Sequence, residues 1–173
     1  SVVKLTGGYG IGNCLNPHFS PDGSAITFMA IPTGQALTWS NMRIYVLDIA
    51  DGSVPFDLGI GQDPKFAPDG QKIVYKRVDG QLYTINLDAT GFQTLTSGGV
   101  ERSGPNYSPV LGDSRIVFWN TTVVGSTKYG DIAWRLPNGT EHTLVSGTAS
   151  RYCYYPIWRD ADHILFTISE GAD

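Results

Sequence analysis

A chain of 173 residues with 41% hydrophobic and 12% aromatic content is long enough to bury a sizeable core. Its formal charge of −4, with no run of lysine or arginine, excludes an electrostatic case for nucleic acid or an anionic membrane. No apolar stretch approaches the roughly 18 residues of a spanning helix, and 21 glycines and 10 prolines beside only 16% charged residues indicate a turn-rich, all-β chain.

Residues 1–8, Ser-Val-Val-Lys-Leu-Thr-Gly-Gly, resemble Gln93 to Gly99 further on, which predicts a lone closing strand at the start. Asn16-Pro17-His18-Phe19-Ser20-Pro21-Asp22-Gly23 then runs into the apolar segment ending at Phe28. Proline lacks a donor and suits a strand start or sheet edge, and Pro-Asp-Gly supplies a tight turn, so the unit reads as a β-hairpin. A loop from Ala30 to Asn41, a strand Arg43 to Ile49, a turn at Asp51-Gly52 and a segment Val54 to Leu58 complete the first repeat.

Asp63-Pro64-Lys65-Phe66-Ala67-Pro68-Asp69-Gly70 opens a second, compact copy, with strands Gln81 to Leu87 and Phe92 to Thr96. Gly104-Pro105-Asn106-Tyr107-Ser108-Pro109 leading to Arg115-Ile116-Val117-Phe118 is a third copy with a stretched turn. Its crossing is expected as a long loop, Asn120 to Gly130, before strands Asp131 to Leu136 and Glu141 to Val145. Tyr155-Pro156-Ile157-Trp158 and Asp162 to Phe166 form a fourth hairpin, whose second half is missing.

The anchor prolines Pro17, Pro64, Pro105 and Pro156 recur at about 40 to 50 residues, the period of a four-stranded propeller blade. The Pro-x-Phe-Ser-Pro-Asp-Gly-x-x-Ile-x-Phe repeat resembles that of TolB-type propellers, relatives of the WD-repeat propellers, over essentially the whole chain. The expected fold is therefore an all-β propeller of four-stranded antiparallel blades, with about three and a half blades present. The blades are placed at residues 9–58, 59–97, 98–146 and 147–173, with 1–8 the outer strand of a preceding or closing blade. Such a chain is either half of a seven-bladed ring or a ring completed by missing blades or a second copy, because an open arc exposes edges and faces. Cys14 and Cys153 occupy the same place in the first and fourth repeats; they read as two small buried thiols, or as an interchain bridge in a two-chain ring.

Function on a propeller sits in loops. The variable loops gather on one face, where Asn13, Asn16, Gln62, Asp63, Glu101, Arg102, Arg151, Tyr152, Tyr154 and Tyr155 precede the prolines, and Trp39, Lys128 and Tyr129 come from crossing loops. Aromatic rings among amides, guanidinium groups and carboxylates suit carbohydrate, so the leading expectation is a saccharide-binding, non-catalytic propeller. Some polysaccharide lyases acting on uronate polymers have similar propellers; on that alternative, Arg102 or Arg151 would meet the uronate carboxylate and His18 or Tyr152 would be the base. A protein-docking scaffold is a second alternative. His18, His142 and His163 fall at unlike repeat positions, and Gly7 to Gly12 lacks the strand-into-helix setting of a dinucleotide site, so no metal or cofactor is expected. Asn120-Thr121-Thr122 and Asn138-Gly139-Thr140 fit the glycosylation pattern and, with the resemblance, point to an extracellular or periplasmic setting.

Overall fold

A computed structural model describes residues 5–50 and 53–170. The local turn chemistry is realised as expected. In the first hairpin Gly23 N donates to Ser20 O at 2.9 Å, and Asp22 Oδ1 accepts the Ser24 N–H at 3.0 Å. In the second, Gly70 N donates to Ala67 O at 2.9 Å and Asp69 Oδ1 accepts Gln71 N at 2.9 Å. A short side-chain acceptor two residues upstream thus closes each turn and leaves the flanking β-branched and aromatic runs free to pair.

The first blade is an antiparallel sheet of β1 (Ile11–Phe19), β2 (Ala25–Pro32), β3 (Arg43–Asp48) and β4 (Phe56–Ile60), in chain order. A single 3-10 turn, Trp39–Asn41, lies between β2 and β3. β5 (Gln62–Phe66), β6 (Lys72–Lys76), β7 (Leu82–Asn86) and β8 (Gln93–Thr94) form the second blade. The third comprises β9 (Glu101–Tyr107), β10 (Ile116–Val124), β11 (Thr127–Arg135) and β12 (Glu141–Val145). β13 (Arg151–Trp158) and β14 (Ile164–Glu170) make the half-blade. Among the described residues no helix is long and apolar enough to cross a membrane.

Strands buried on both faces let successive blades pack on one another. Met29, Ile44 and Leu58 of the first blade meet Phe66, Ile73 and Tyr75 of the second. Val74 and Leu82 meet Ile116, Phe118 and Ala133. Val117 and Ile132 meet Cys153, with Trp134, Trp158 and Phe166 around them. Because side chains alternate along a strand, Phe28, Ala30, Tyr45 and Leu47 pack on the face of the first blade turned away from the second.

Position along the arc explains the cysteines. Cys153 is buried against the third blade, whereas Cys14, at the same repeat position, is exposed at the end of the arc. Pro64, Pro105 and Pro156 are likewise buried and Pro17 is exposed. The reading of two buried thiols therefore holds for Cys153 alone.

Two strand expectations are corrected. Residues 120–130 are not a crossing loop: β10 and β11 stay paired from Ile116↔Arg135 to Val124↔Thr127, closed by the two-residue turn Gly125-Ser126 with Gly125 at φ 64°. Thr121, Thr122 and Val123 continue the strand because β-branched residues favour the pleat, and Lys128 and Tyr129 are strand residues. Residues 5–8 form a turn, and the rest of the expected first strand, 1–4, lies outside the described residues, as does the turn at Asp51-Gly52. Asn120 is also in a strand, half-buried with its Oδ1 enclosed; Asn138 sits in an exposed turn.

The long β11 does a second job: Gly130 pairs in parallel with Tyr152 and so ties the half-blade to the third blade. A Cβ at Gly130 would stand 2.5 Å from Cys153 O and 2.9 Å from the Tyr152 ring. Gly130→Ala is expected to lower the urea midpoint by the equivalent of about 1–3 kcal/mol, the usual cost of overpacking. An unchanged midpoint would show that this junction yields freely.

Candidate functional site

The innermost strands carry one repeated irregularity. The residues directly before the four anchor prolines all have left-handed backbone: Asn16 at φ 51°, Asp63 at 51°, Gly104 at 53° and Tyr155 at 51°. At each, the strand register slips, so that the residue and its proline together stand opposite a single aromatic of the next strand, Phe28, Tyr75, Phe118 or Phe166. This is a β-bulge, which bends a strand and re-aims its side chains. Asparagine, aspartate and glycine tolerate the left-handed region; tyrosine does so at a cost of about 1–3 kcal/mol, the kind of strain that collects at functional sites.

The bulged residues line a channel. At its loop-face mouth lies a cavity of about 610 Å³ walled by Asn16, Asp63 and Tyr155, together with Trp39, Gln62, Lys76, Glu101, Ser103 and Trp119. Each wall has a support. Gln62, buried, donates through Nε2 to Trp39 O at 3.0 Å and so holds the 3-10 turn that presents an indole 63% exposed. Asn16 donates its amide to Asp63, bridging the first two blades. The Lys76 ammonium pairs with Glu101 and donates to Ser103 Oγ at 3.0 Å. Trp119 reaches the mouth from β10 by lying over Gly104, where a Cβ would come within 1.8 Å of its ring. Tyr155, 62% exposed, meets Trp119 edge-on with centroids 5.0 Å apart, and Tyr154 continues the aromatic row at 5.0 Å.

Of the residues expected at the mouth, Trp39, Gln62, Asp63 and Glu101 line it, as do Asn16 and Tyr155. Arg102 does not. It is buried, donating to Gln81 Oε1 at 2.9 Å and to the carbonyls of Val100 and Ser97 at 3.1 and 3.3 Å, and it pairs with Glu141 at 3.0 Å. Alternation is the reason: Glu101 and Ser103 share the channel face of β9, and Arg102 points the other way. Arg151 donates to Ser146 O at 3.2 Å, and the Tyr152 hydroxyl shares a 2.6 Å hydrogen bond with Thr121 Oγ1 at the junction of β13 with the third blade. Tyr129 lies on β11 opposite Thr122, and Asn13 is exposed on β1. Neither lines the mouth cavity.

His18 is at the opposite end of the channel. Its Nδ1 accepts the Phe66 N–H at 3.3 Å and its ring stacks on that of Phe66, so it locks the first blade to the second. Burial, helped by the nearby Lys65 charge, pulls its pKa down to about 4, leaving a neutral imidazole whose proton is on Nε2. His18, Arg102 and the neighbouring Arg151 and Tyr152 therefore occupy three separate places. Among the described residues no group of three or more His, Cys, Asp and Glu side chains could hold a metal ion. Lys76 and Trp119 escape sequence reasoning because they come from second strands, and Ser103 because the charged Glu101 and Arg102 beside it draw the eye from the residues next to Pro105.

No family model matches the sequence. Solved structures do. A protein assigned as TolB from Agrobacterium tumefaciens aligns over 94% of this chain and 60% of its own, with TM-score 0.68 and 18% identity. TolB from Acinetobacter baumannii aligns over 93% of this chain and 41% of its own, with TM-score 0.63 and 20% identity. Oligogalacturonate lyase from Vibrio parahaemolyticus aligns over 94% and 47%, with TM-score 0.66 and 14% identity. The fold is a TolB-like β-propeller. The chain spans between two fifths and three fifths of the length of these relatives, the proportion of a partial ring.

The depressed pKa of His18 has a measurable consequence. Between about pH 4 and the unfolded value of 6.5 the unfolded chain binds a proton that the folded chain refuses, so stability rises with pH through that window. His163, exposed and raised by its hydrogen bond to Asp160, works in the opposite sense at the upper edge of this window. Urea midpoints of wild type and His18→Asn are expected to converge as pH falls from 7 to 4; parallel curves would mean that His18 takes up its proton equally in the folded and unfolded chain.

Proposed function

We propose that this chain is a ligand-binding propeller that takes carbohydrate at the channel mouth, without catalysis, in a setting outside the cytoplasm. The observation that carries the reading is the convergence of Trp39, Trp119 and Tyr155 around one open cavity whose remaining wall is amide, hydroxyl and charge. The apolar face of a pyranose stacks on such rings, and pre-set polar groups meet its hydroxyls. Charge narrows the class. The mouth holds the carboxylates of Asp63 and Glu101 against one ammonium, Lys76, already paired with Glu101. With Arg102 drawn into the blade junction, a neutral or amino sugar is favoured over a uronate.

A lyase acting on uronate glycans is the second reading, supported by the likeness in fold to oligogalacturonate lyase. Release of unsaturated uronate, seen as new ultraviolet absorbance, would establish it.

A glycan array followed by calorimetry tests the leading reading. Neutral or amino oligosaccharides are expected to bind, oligogalacturonate to bind more weakly, and Trp39→Ala to lose about tenfold in affinity, the equivalent of ~1.4 kcal/mol of stacking. Retention of no saccharide would overturn the proposal.

A further inference from the structure

The far end of the channel is a second cavity, of about 590 Å³, on the side of the tight hairpin turns. The repeat builds it as it builds the mouth: the residues that follow the prolines, His18, Lys65, Asn106 and Ile157, all line it. Phe66, Tyr107 and Trp158 supply apolar wall. A narrower space of about 170 Å³, bounded by Asp63, Lys65, Asn106 and Tyr155, shares walls with both cavities.

Lys65 is the one side chain there with a fixed excess of charge. Like Lys76 at the mouth it is half-buried, but its ammonium takes part in no ion pair or hydrogen bond among the described residues. Burial lowers its pKa, with the charge of Asp63 acting the other way, and the Asp63 carboxylate is engaged by the Asn16 amide. Beside it His18 is held neutral, with Nδ1 occupied by the Phe66 N–H, so that Nε2–H is left as a donor. Tyr107, its pKa pushed up to about 12 by burial, stays a neutral phenol. A partly desolvated ammonium beside apolar walls, with no direct ion pair among the described residues and the nearby Asp63 carboxylate engaged by Asn16, is costly, and an incoming anion relieves that cost.

We propose that this cavity is a second ligand site, for a small carboxylate with an apolar body, whose carboxylate pairs with Lys65 while the body packs on Phe66, Tyr107 and Trp158. The site is separate from the saccharide reading at the mouth, and either can fail without the other.

Benzoate is the probe, with benzamide as its uncharged isostere, followed by calorimetry and by amide chemical shifts of the intact chain. Benzoate is expected to bind and to move the amide signals of Phe66, Tyr107 and Ser108, with benzamide at least about tenfold weaker. Lys65→Met should lose about tenfold or more in benzoate affinity, Lys65→Arg should keep it within a few-fold, and Lys128→Met, altered on exposed β11, should leave it unchanged. Equal binding of benzoate and benzamide, full affinity in Lys65→Met, shifts confined to the mouth, or no binding at about ten millimolar would each overturn the proposal.

Discussion

A left-handed residue followed by proline, set against one aromatic of the neighbouring strand, is the constraint on which the channel depends. Proline at that point gives up no needed ladder donor, and the bulge absorbs the extra residue by bending the innermost strand. Repetition four times around the arc turns a local kink into two rows of channel side chains, one before the prolines and one after them. Blade packing then fixes how far apart those rows stand, through the apolar contacts between successive blades.

The occupants of equivalent positions differ, and that difference carries the chemistry. Before the prolines stand Asn16, Asp63, Gly104 and Tyr155: a hydrogen-bonded pair, a gap and a strained ring. The gap is filled from behind by Trp119, which no side chain at position 104 would permit, and the ring of Tyr155 closes on it. After the prolines stand His18, Lys65, Asn106 and Ile157, none of them acidic. The channel is consequently polarised, with two carboxylates against the paired Lys76 at the loop face and, toward the hairpin face, an ammonium in no ion pair among the described residues. Such a gradient favours neutral or basic groups at one end and acidic groups at the other.

The blades were legible because turn chemistry is local: Pro-Asp-Gly closes the same hairpin wherever it occurs, and the proline spacing alone sets the repeat length. Trp39, Gln62, Asp63 and Glu101 were legible for the same reason, as residues just ahead of a recognisable anchor or in a variable loop. Arg102 was misplaced because consecutive residues were assigned to one surface, although a strand sends neighbours to opposite faces. Trp119 was hidden because its route to the mouth depends on Gly104 in another strand, a contact without any sequence signal. The β10–β11 hairpin was read as a loop because Gly125-Ser126 is a weak turn signal and the β-branched run before it extends unusually far. Cys14 and Cys153 share a repeat position yet differ in exposure, since burial there comes from the preceding blade.

The four tryptophans offer the most direct test of the central claim, that the bulged inner strands build a saccharide-binding mouth. Trp39 and Trp119 line that mouth, whereas Trp134 and Trp158 pack at the junction of the third blade with the half-blade. Titration of a neutral oligosaccharide while following the indole Nε1–H resonances should move the signals of Trp39 and Trp119 together and leave Trp134 and Trp158 in place. Movement confined to Trp134 and Trp158, or four stationary signals at saturating sugar, would contradict it.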